Sequence, residues 1–191
     1  MGTGSINDDD LMLHIGSGDR TAYAMLVERH LPRHLGFATK LLGNSAEAEE
    51  VMQEAFIRVW KHAVNWDLSR ETRFTTWFYR VITNLCYDVC RKRRPFEGTD
   101  VLDQIASEDD DAEKVIALGQ RSQQVRNALE ELPQRQRTAI SLSYFEGLSN
   151  REAADVMEVS LNSLESLLVR GRRNLAEILS DDKESLLKEI G

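Results

Sequence analysis

An all-α fold, made of two helical domains joined by a flexible acidic linker, is predicted by three features of the 191-residue chain. Apolar residues recur at helical period in nearly every segment. Strand-like alternation is absent, and only three prolines interrupt the pattern. One acidic stretch, FEGTDVLDQIASEDDD at 96–111, breaks the periodicity and reads as the linker. The expected domains are 1–95 and 112–180, the second containing a helix-turn-helix, with an amphipathic tail at 181–191. A hydrophobic content of 41% and a charged content of 29% fit a soluble globular protein. No apolar run approaches the roughly 18–20 residues that span a bilayer. The start, MGTGSINDDDLML, lacks the basic region and apolar core of a signal peptide. A cytoplasmic location is therefore expected.

In chain order, Asp19 is placed to cap a helix running through Tyr23, Leu26 and Val27 to about residue 31, where Pro32 marks a break. A further helix covers 33–42 and stops at Gly43. Asn44 caps a long helix, with Glu47 three positions on and Val51, Met52, Ala55, Phe56, Val59 and Trp60 on its apolar face. Residues 65–73 form a polar loop, and the next long helix covers 74–93, ended by Pro95. After the linker a helix covers 112–132. Pro133 opens another, which carries Ala139, Ile140, Leu142 and Tyr144 and closes at Gly147.

The run GLSNREAADVMEVSLNSLESLLVRGRR at 147–173 reads as two short helices and a tight turn. Ser149 and Glu152 have the spacing of a capping box. Ala153, Val156 and Met157 give the first helix an apolar face, and Ser160 is an N-cap for the second. Leu161, Leu164, Leu168 and Leu175 make the second helix's buried stripe. This is the pattern of a helix-turn-helix, whose second helix enters the DNA major groove. A plain helical hairpin of an all-α core has the same pattern.

A second constellation lies on the 74–93 helix. At about 100° per residue, Phe74, Phe78, Val81, Ile82, Leu85 and Val89 fall on one side. Thr76, Tyr79, Arg80, Thr83, Tyr87 and Arg91 fall on the other, with Trp77, Asn84 and Asp88 near the boundary. Aromatic rings stack on unpaired bases, Arg holds phosphates and Asn reads base edges. The face leads into the basic run Arg91-Lys92-Arg93-Arg94. An amphipathic helix with tyrosines at its rim accounts for it equally well.

Charge and composition narrow the chemistry. A net charge of −8 has the wrong sign for a protein that grips DNA by itself, because phosphate neutralisation dominates affinity. Either the helix-turn-helix serves something else, or a partner supplies positive charge. The distribution favours the partner: Arg170, Arg172 and Arg173 form a second basic cluster, while the acid lies at 8–10, 47–54 and 108–113. No catalytic constellation is evident. The four His (14, 30, 34 and 62) and the two Cys (86 and 90) show no metal-ligand arrangement, so no metal and no cofactor are expected.

In order and spacing, several segments together resemble a known family. They are AEEVMQEAFIRVWK at 48–61, RFTTWFYRVITNLCYDVCRKRR at 73–94, the acidic linker, ELPQRQRTAISLSYFEGLSNREAADVMEVS at 131–160, and a last helix with a basic end. The chain is similar over about residues 8–180 to bacterial RNA polymerase sigma factors of the extracytoplasmic-function (ECF) group, the minimal type with only the second and fourth sigma regions. The resemblance implies that Glu50, Gln53 and Glu54 dock on the coiled coil of the largest (β′) subunit of core RNA polymerase. The loop at 67–73 and the helix after it would open and read the −10 element. Thr76, Arg80, Thr83, Asn84, Tyr87 and Arg91 would contact the melted non-template strand, with Trp77 packing or shaping the pocket rather than stacking on a base.

The resemblance further implies a linker that runs toward the active-site cleft and RNA exit path. The helix-turn-helix would lie on the flap of the β subunit and read the −35 duplex of promoter DNA through Asn162, Ser163, Glu165, Ser166, Arg170 and Arg173. An anti-sigma factor partner is implied as well. The chain departs from the family pattern at Glu158, where a turn Gly is frequent, at Asn162-Ser163, where Gly-Thr is frequent, and at Glu165 and Leu167, where basic residues are frequent. An acidic side chain repels phosphate but accepts from cytosine N4, so an unusual −35 sequence or a weaker −35 dependence is expected. Glu165 is then a base reader, an unpartnered surface residue, or a partner of Arg172 or Arg173. A stand-alone helix-turn-helix regulator and a protein-interaction adaptor remain as other readings of the residues alone.

Overall fold

The computed structural model describes residues 6–69, 72–93 and 118–189, the last with side chains over 124–180. Every regular element among the described residues is helical. Two compact units divide the chain, one of Met1–Thr39 with Ser45–Arg93, the other of Lys40–Asn44 with Arg94–Gly191. The expected linker at 96–111 and the start of the expected 112–132 helix lie outside the described residues.

The first unit holds α1 (Asp8–Gly16), all but the last three residues of α2 (Arg20–Leu42), α3 (Ser45–Ala63) and α4 (Phe74–Arg93). The helix α1 was not anticipated, though its signals are local. Asn7 caps it by accepting from the Asp10 amide at 2.8 Å, three acidic residues fill its first turn, and Leu11, Met12 and Ile15 are buried. Gly16 brings the end of α1 against α3, because a Cβ there would sit 2.5 Å from the Ala63 carbonyl oxygen. Asp19 caps α2 as expected, accepting from the amides of Thr21 and Ala22 at 2.8 and 3.1 Å.

Pro32 does not break the chain. It lies inside one continuous α2. A mid-helix proline removes one hydrogen bond and costs about 3 kcal/mol. Here Leu26, His30, His34 and Phe37 are buried on both sides of it, so one packed stripe holds the two halves in line. The ring itself is exposed, as are Leu31 and Arg33, and so is Glu28, whose carbonyl loses its donor. Water can satisfy that carbonyl from the outer side. Phe37, Met52, Phe74, Phe78 and Ile82 are among the largest fully buried side chains of this core. Phe78 lies 5.3 Å from Phe74, 5.1 Å from Phe56 and 4.8 Å from His34, ring centre to ring centre.

The second unit holds α5 (Leu118–Glu130), α6 (Gln134–Ile140), α7 (Asn150–Met157) and α8 (Leu161–Glu189). Pro133 opens α6, as its missing N–H and fixed φ favour. The helix then widens into a π-helical turn at Ser141–Phe145, marked by the Glu146 amide donating to the Ser141 carbonyl at 3.0 Å. Gly147 ends it at φ +70°. The tail continues α8 as helix to Glu189.

The capping box forms as its sequence spacing requires. The Glu152 amide donates to the Ser149 hydroxyl at 3.3 Å, and the Ser149 amide to the Glu152 carboxylate at 2.9 Å. Glu158 closes α7 in the left-handed region, φ 54° and ψ 45°, the conformation that makes Gly frequent at such a turn. The Ser160 hydroxyl caps α8 by accepting from the Ser163 amide at 3.2 Å. The buried stripe of α8 is Leu164, Leu168 and Gly171. At Gly171 a Cβ would lie 3.0 Å from Cγ1 of Ile140, so α6 and α8 pack closely there. Leu161, the first residue of α8, is not in the stripe, being 45% exposed.

Candidate nucleic-acid interfaces

On α3, buried Val51, Met52, Ala55, Phe56 and Val59 face the core. The opposite side shows exposed Glu50 and Gln53 and half-buried Glu54, which Arg58 holds through Nε at 3.0 Å. An exposed i,i+4 pair of this kind is worth about 0.3–0.5 kcal/mol, so it orients Glu54 without locking it. This face continues into exposed Ile57, Trp60 and Val64, of which the sequence analysis names only Trp60. Trp60 was expected on the apolar face. It is 37% exposed, with one edge against Tyr23 at 5.2 Å. The spacing 53, 57, 60 and 64 is itself a helical stripe, and following it outward from Gln53 would have found these residues.

The helix α4 turns out to be less open than its wheel implies. Thr76, Arg80 and Tyr87 are half-buried, and Asn84 and Arg91 are exposed. Thr83 is the correction: it is 1% exposed, so it belongs to the interior and not to an accessible face. Tyr79 is buried too, its ring 4.5 Å from His34 and 5.1 Å from Phe37. For Tyr79 the cause is α2, whose His34 and Phe37 cover a side of α4 that the wheel assigns to solvent. Arg91 donates to Asp88 at 2.6 Å from an exposed position, and a surface pair of this kind contributes little. Glu47 at the start of α3 pairs with Arg93 at the end of α4, which ties the two helices beside the basic run.

Trp77 is engaged from within the protein. It stacks on His62 at 4.9 Å and 13° between planes, with Trp66 edge-on at 5.4 Å. This cluster anchors the loop between α3 and α4, a role that requires the three-dimensional contact and leaves no local sequence signal. Of the two thiols, Cys86 is fully buried and Cys90 half-buried. Burial, and then the neighbouring Cys90, push the Cys86 thiol far above its ordinary range, which suits a packed and unreactive group.

On α8 the candidate residues are brought together. Asn162, Ser163, Glu165, Ser166, Arg170 and Arg173 are all exposed, with the first four on the leading turns. Arg173 donates through Nε to Glu177 at 2.9 Å. That bond and the charge of Glu177 raise the guanidinium's already high pKa. Arg173 thus pairs forward along the helix and not with Glu165.

The site geometry thus comprises an aromatic-polar helix with a basic end in one unit and a capped helix-turn-helix in the other. The chain matches the family models for sigma-70 region 2 over residues 26–96 and sigma-70 region 4 over residues 122–175. It is similar to the ECF RNA polymerase sigma factor SigW of Bacillus subtilis, 30% identical over 177 residues that cover 87% of this chain and 94% of that one. The ECF RNA polymerase sigma factor SigE of Mycolicibacterium smegmatis is 32% identical over 170 residues, 86% of this chain and 65% of that one. Among solved structures, CnrH in complex with the cytosolic domain of CnrY aligns at TM-score 0.68 with 26% identity, covering 92% of this chain and 98% of that one.

Two sigma-70 regions in one chain define a sigma factor. The chain belongs to the ECF RNA polymerase sigma factors, which work with core RNA polymerase to direct promoter-specific transcription initiation. Its relatives are not enzymes. No helix among the described residues is long and apolar enough to cross a membrane.

Proposed function

We propose that promoter recognition is divided between domains 1–95 and 112–180, linked by 96–111. In the first, Glu50, Gln53 and Glu54 dock on the β′ coiled coil of core polymerase, and exposed Ile57, Trp60 and Val64 extend that contact with apolar area. On α4, Thr76, Arg80, Asn84, Tyr87 and Arg91 bind the unpaired non-template strand of the −10 element, while buried Thr83 takes no direct part. In the second, the leading turns of α8 read the −35 duplex against the β flap.

The observation that carries this reading is the placement of half-buried Arg80 and Tyr87 beside exposed Asn84 and Arg91 on one helix that ends in a basic run. Partly sheltered aromatic and guanidinium groups suit splayed bases, whose unstacking costs roughly a few kcal/mol each. Strand opening is then a shift of a pairing equilibrium and not a covalent reaction. The net charge of −8 fits a chain that core polymerase positions on DNA. The protein acts in the cytoplasm, on the nucleoid when bound to polymerase. An anti-sigma factor holds it inactive by covering one or both domains; the complex of its relative CnrH with the cytosolic domain of CnrY supports such a partner.

The test is transcription by this chain with purified core polymerase on a promoter library randomised at −10 and −35. Enrichment at both elements is expected. Sequence-specific binding to duplex DNA by the chain alone, with no transcription from the reconstituted mixture, would point to a stand-alone regulator instead.

A further inference from the structure

The exposed residues of α8 are not chemically equivalent. The hydroxyls of Ser163 and Ser160 share a hydrogen bond at 2.8 Å, and the Ser166 hydroxyl donates to the Asn162 carbonyl at 2.9 Å. Arg170 donates through Nε to the Ser166 carbonyl at 3.2 Å, and Arg173 is held by Glu177. By contrast, the side chains of Asn162, Glu165 and Arg172 are exposed and make no hydrogen bond or ion pair with another described residue. Glu165 and Arg172 lie seven positions apart, on one flank of the helix.

An unpaired carboxylate facing DNA is repelled by phosphate unless it finds a donor. Ionised, it has only acceptor sites. In the major groove guanine offers N7 and O6 acceptors, thymine offers O4, and adenine sets an N7 acceptor beside its N6 donor. Cytosine alone offers a donor with no adjoining acceptor. Asn162 carries both a donor and an acceptor, which match adenine N7 and N6. Three residues along the helix span about 4.5 Å of axis, close to the base step of about 3.4 Å.

We propose that Asn162 and Glu165 are the base-reading pair of α8, selecting an adenine and a neighbouring cytosine, and that Arg172 supplies the phosphate grip on the same flank. This rests on the −35 reading above. Ser163 and Ser166 shape the helix start and do not read bases.

The experiment profiles the reconstituted holoenzyme on a −35 library, comparing the wild type with Glu165→Ala, Glu165→Gln and Arg172→Ala. All three sites are exposed, and circular dichroism checks that the variants fold. The wild type should prefer cytosine at one position by about tenfold, the discrimination of a single good contact. Glu165→Ala should flatten that position alone, and Glu165→Gln should move its preference to adenine. Arg172→Ala should weaken all sequences alike and lower the salt slope by about one. Superimposable profiles for wild type and both Glu165 variants overturn the proposal, as does an Arg172→Ala profile that changes in sequence and not in level. A wild type that selects at −10 but not at −35 overturns the reader and leaves the −10 reading standing. Selection at neither element removes both.

Discussion

The two helices proposed to face nucleic acid, α4 and α8, are built on opposite plans. The helix α8 buries a narrow stripe, Leu164, Leu168 and Gly171, and leaves its leading turns open. The helix α4 buries Phe74, Phe78, Tyr79, Ile82, Thr83, Leu85 and Cys86, an arc that wraps well past one face. A duplex is read along an outward edge, so a reader of duplex needs little more than a held and exposed helix start. A single strand is captured by stacking bases on rings that are themselves supported. The proposed roles would account for the difference between the arcs. The contacts of α4 are set in a packed wall, and those of α8 stand on a rim.

The largest break in this comparison is Phe78→Ala. Phe78 is fully buried, and truncation should cost about 3–5 kcal/mol, seen as a lower urea midpoint of the first unit. Loss of −10 recognition should follow, because the wall that presents Arg80 and Tyr87 loosens.

A smaller and more selective effect is expected at Tyr87. In the holoenzyme, Tyr87→Ala should weaken binding to a fluorescent −10 non-template oligonucleotide by about 1–3 kcal/mol, the value of one stacked base. Tyr87→Phe keeps the ring and should retain most of that binding. Equal loss in both variants would mean that the hydroxyl, held within the protein, matters more than the ring.

How far the two helices could be read from sequence tracks the same contrast. The start of α8, the Ser149–Glu152 box and the Ser160 cap are local hydrogen-bond rules, and each forms as the spacing dictates. The arc of α4 depends on which helices lie over it, and a wheel carries no such information, so Thr83 and Tyr79 were misplaced outward. Pro32 shows the same limit, since a packed stripe on both sides outweighs a local breaker. The π-helical turn at Ser141–Phe145 has no sequence signal of comparable strength. The cap of α1, Asn7 followed by Leu11, Met12 and Ile15, is a local signal of the same kind.

The units should also differ in acid. Asp8 ties α1 to α2, accepting from Arg29 at 2.6 Å and facing His30 Nε2 at 3.0 Å. Burial alone would raise its pKa, but the hydrogen bonds and charges of His30 and Arg29 together hold it below the ordinary 3.8. A depressed carboxylate contributes stability that is fully present above its unfolded pKa and is lost as pH falls through the folded one. Urea midpoints of wild type and Asp8→Asn should therefore differ at about pH 5 and converge only below 3.8. The exposed Arg173–Glu177 pair of the second unit has no comparable buried setting, so α8 should show little of this loss.

The smallest expected effect separates the wheel from the structure most directly. Were Thr83 a strand contact, Thr83→Val would remove a hydroxyl from the −10 surface and alter the preference there. Its side chain is instead enclosed, and its Oγ1 has no hydrogen-bond partner among the described residues. Replacing an unpaired buried hydroxyl by a methyl of the same shape is nearly neutral or stabilising, by up to about 1 kcal/mol. The Thr83→Val holoenzyme should keep the wild-type −10 profile while the urea midpoint of the first unit holds or rises. A changed profile at unchanged stability would put Thr83 back on the strand-binding surface and narrow the buried arc of α4 toward that of α8.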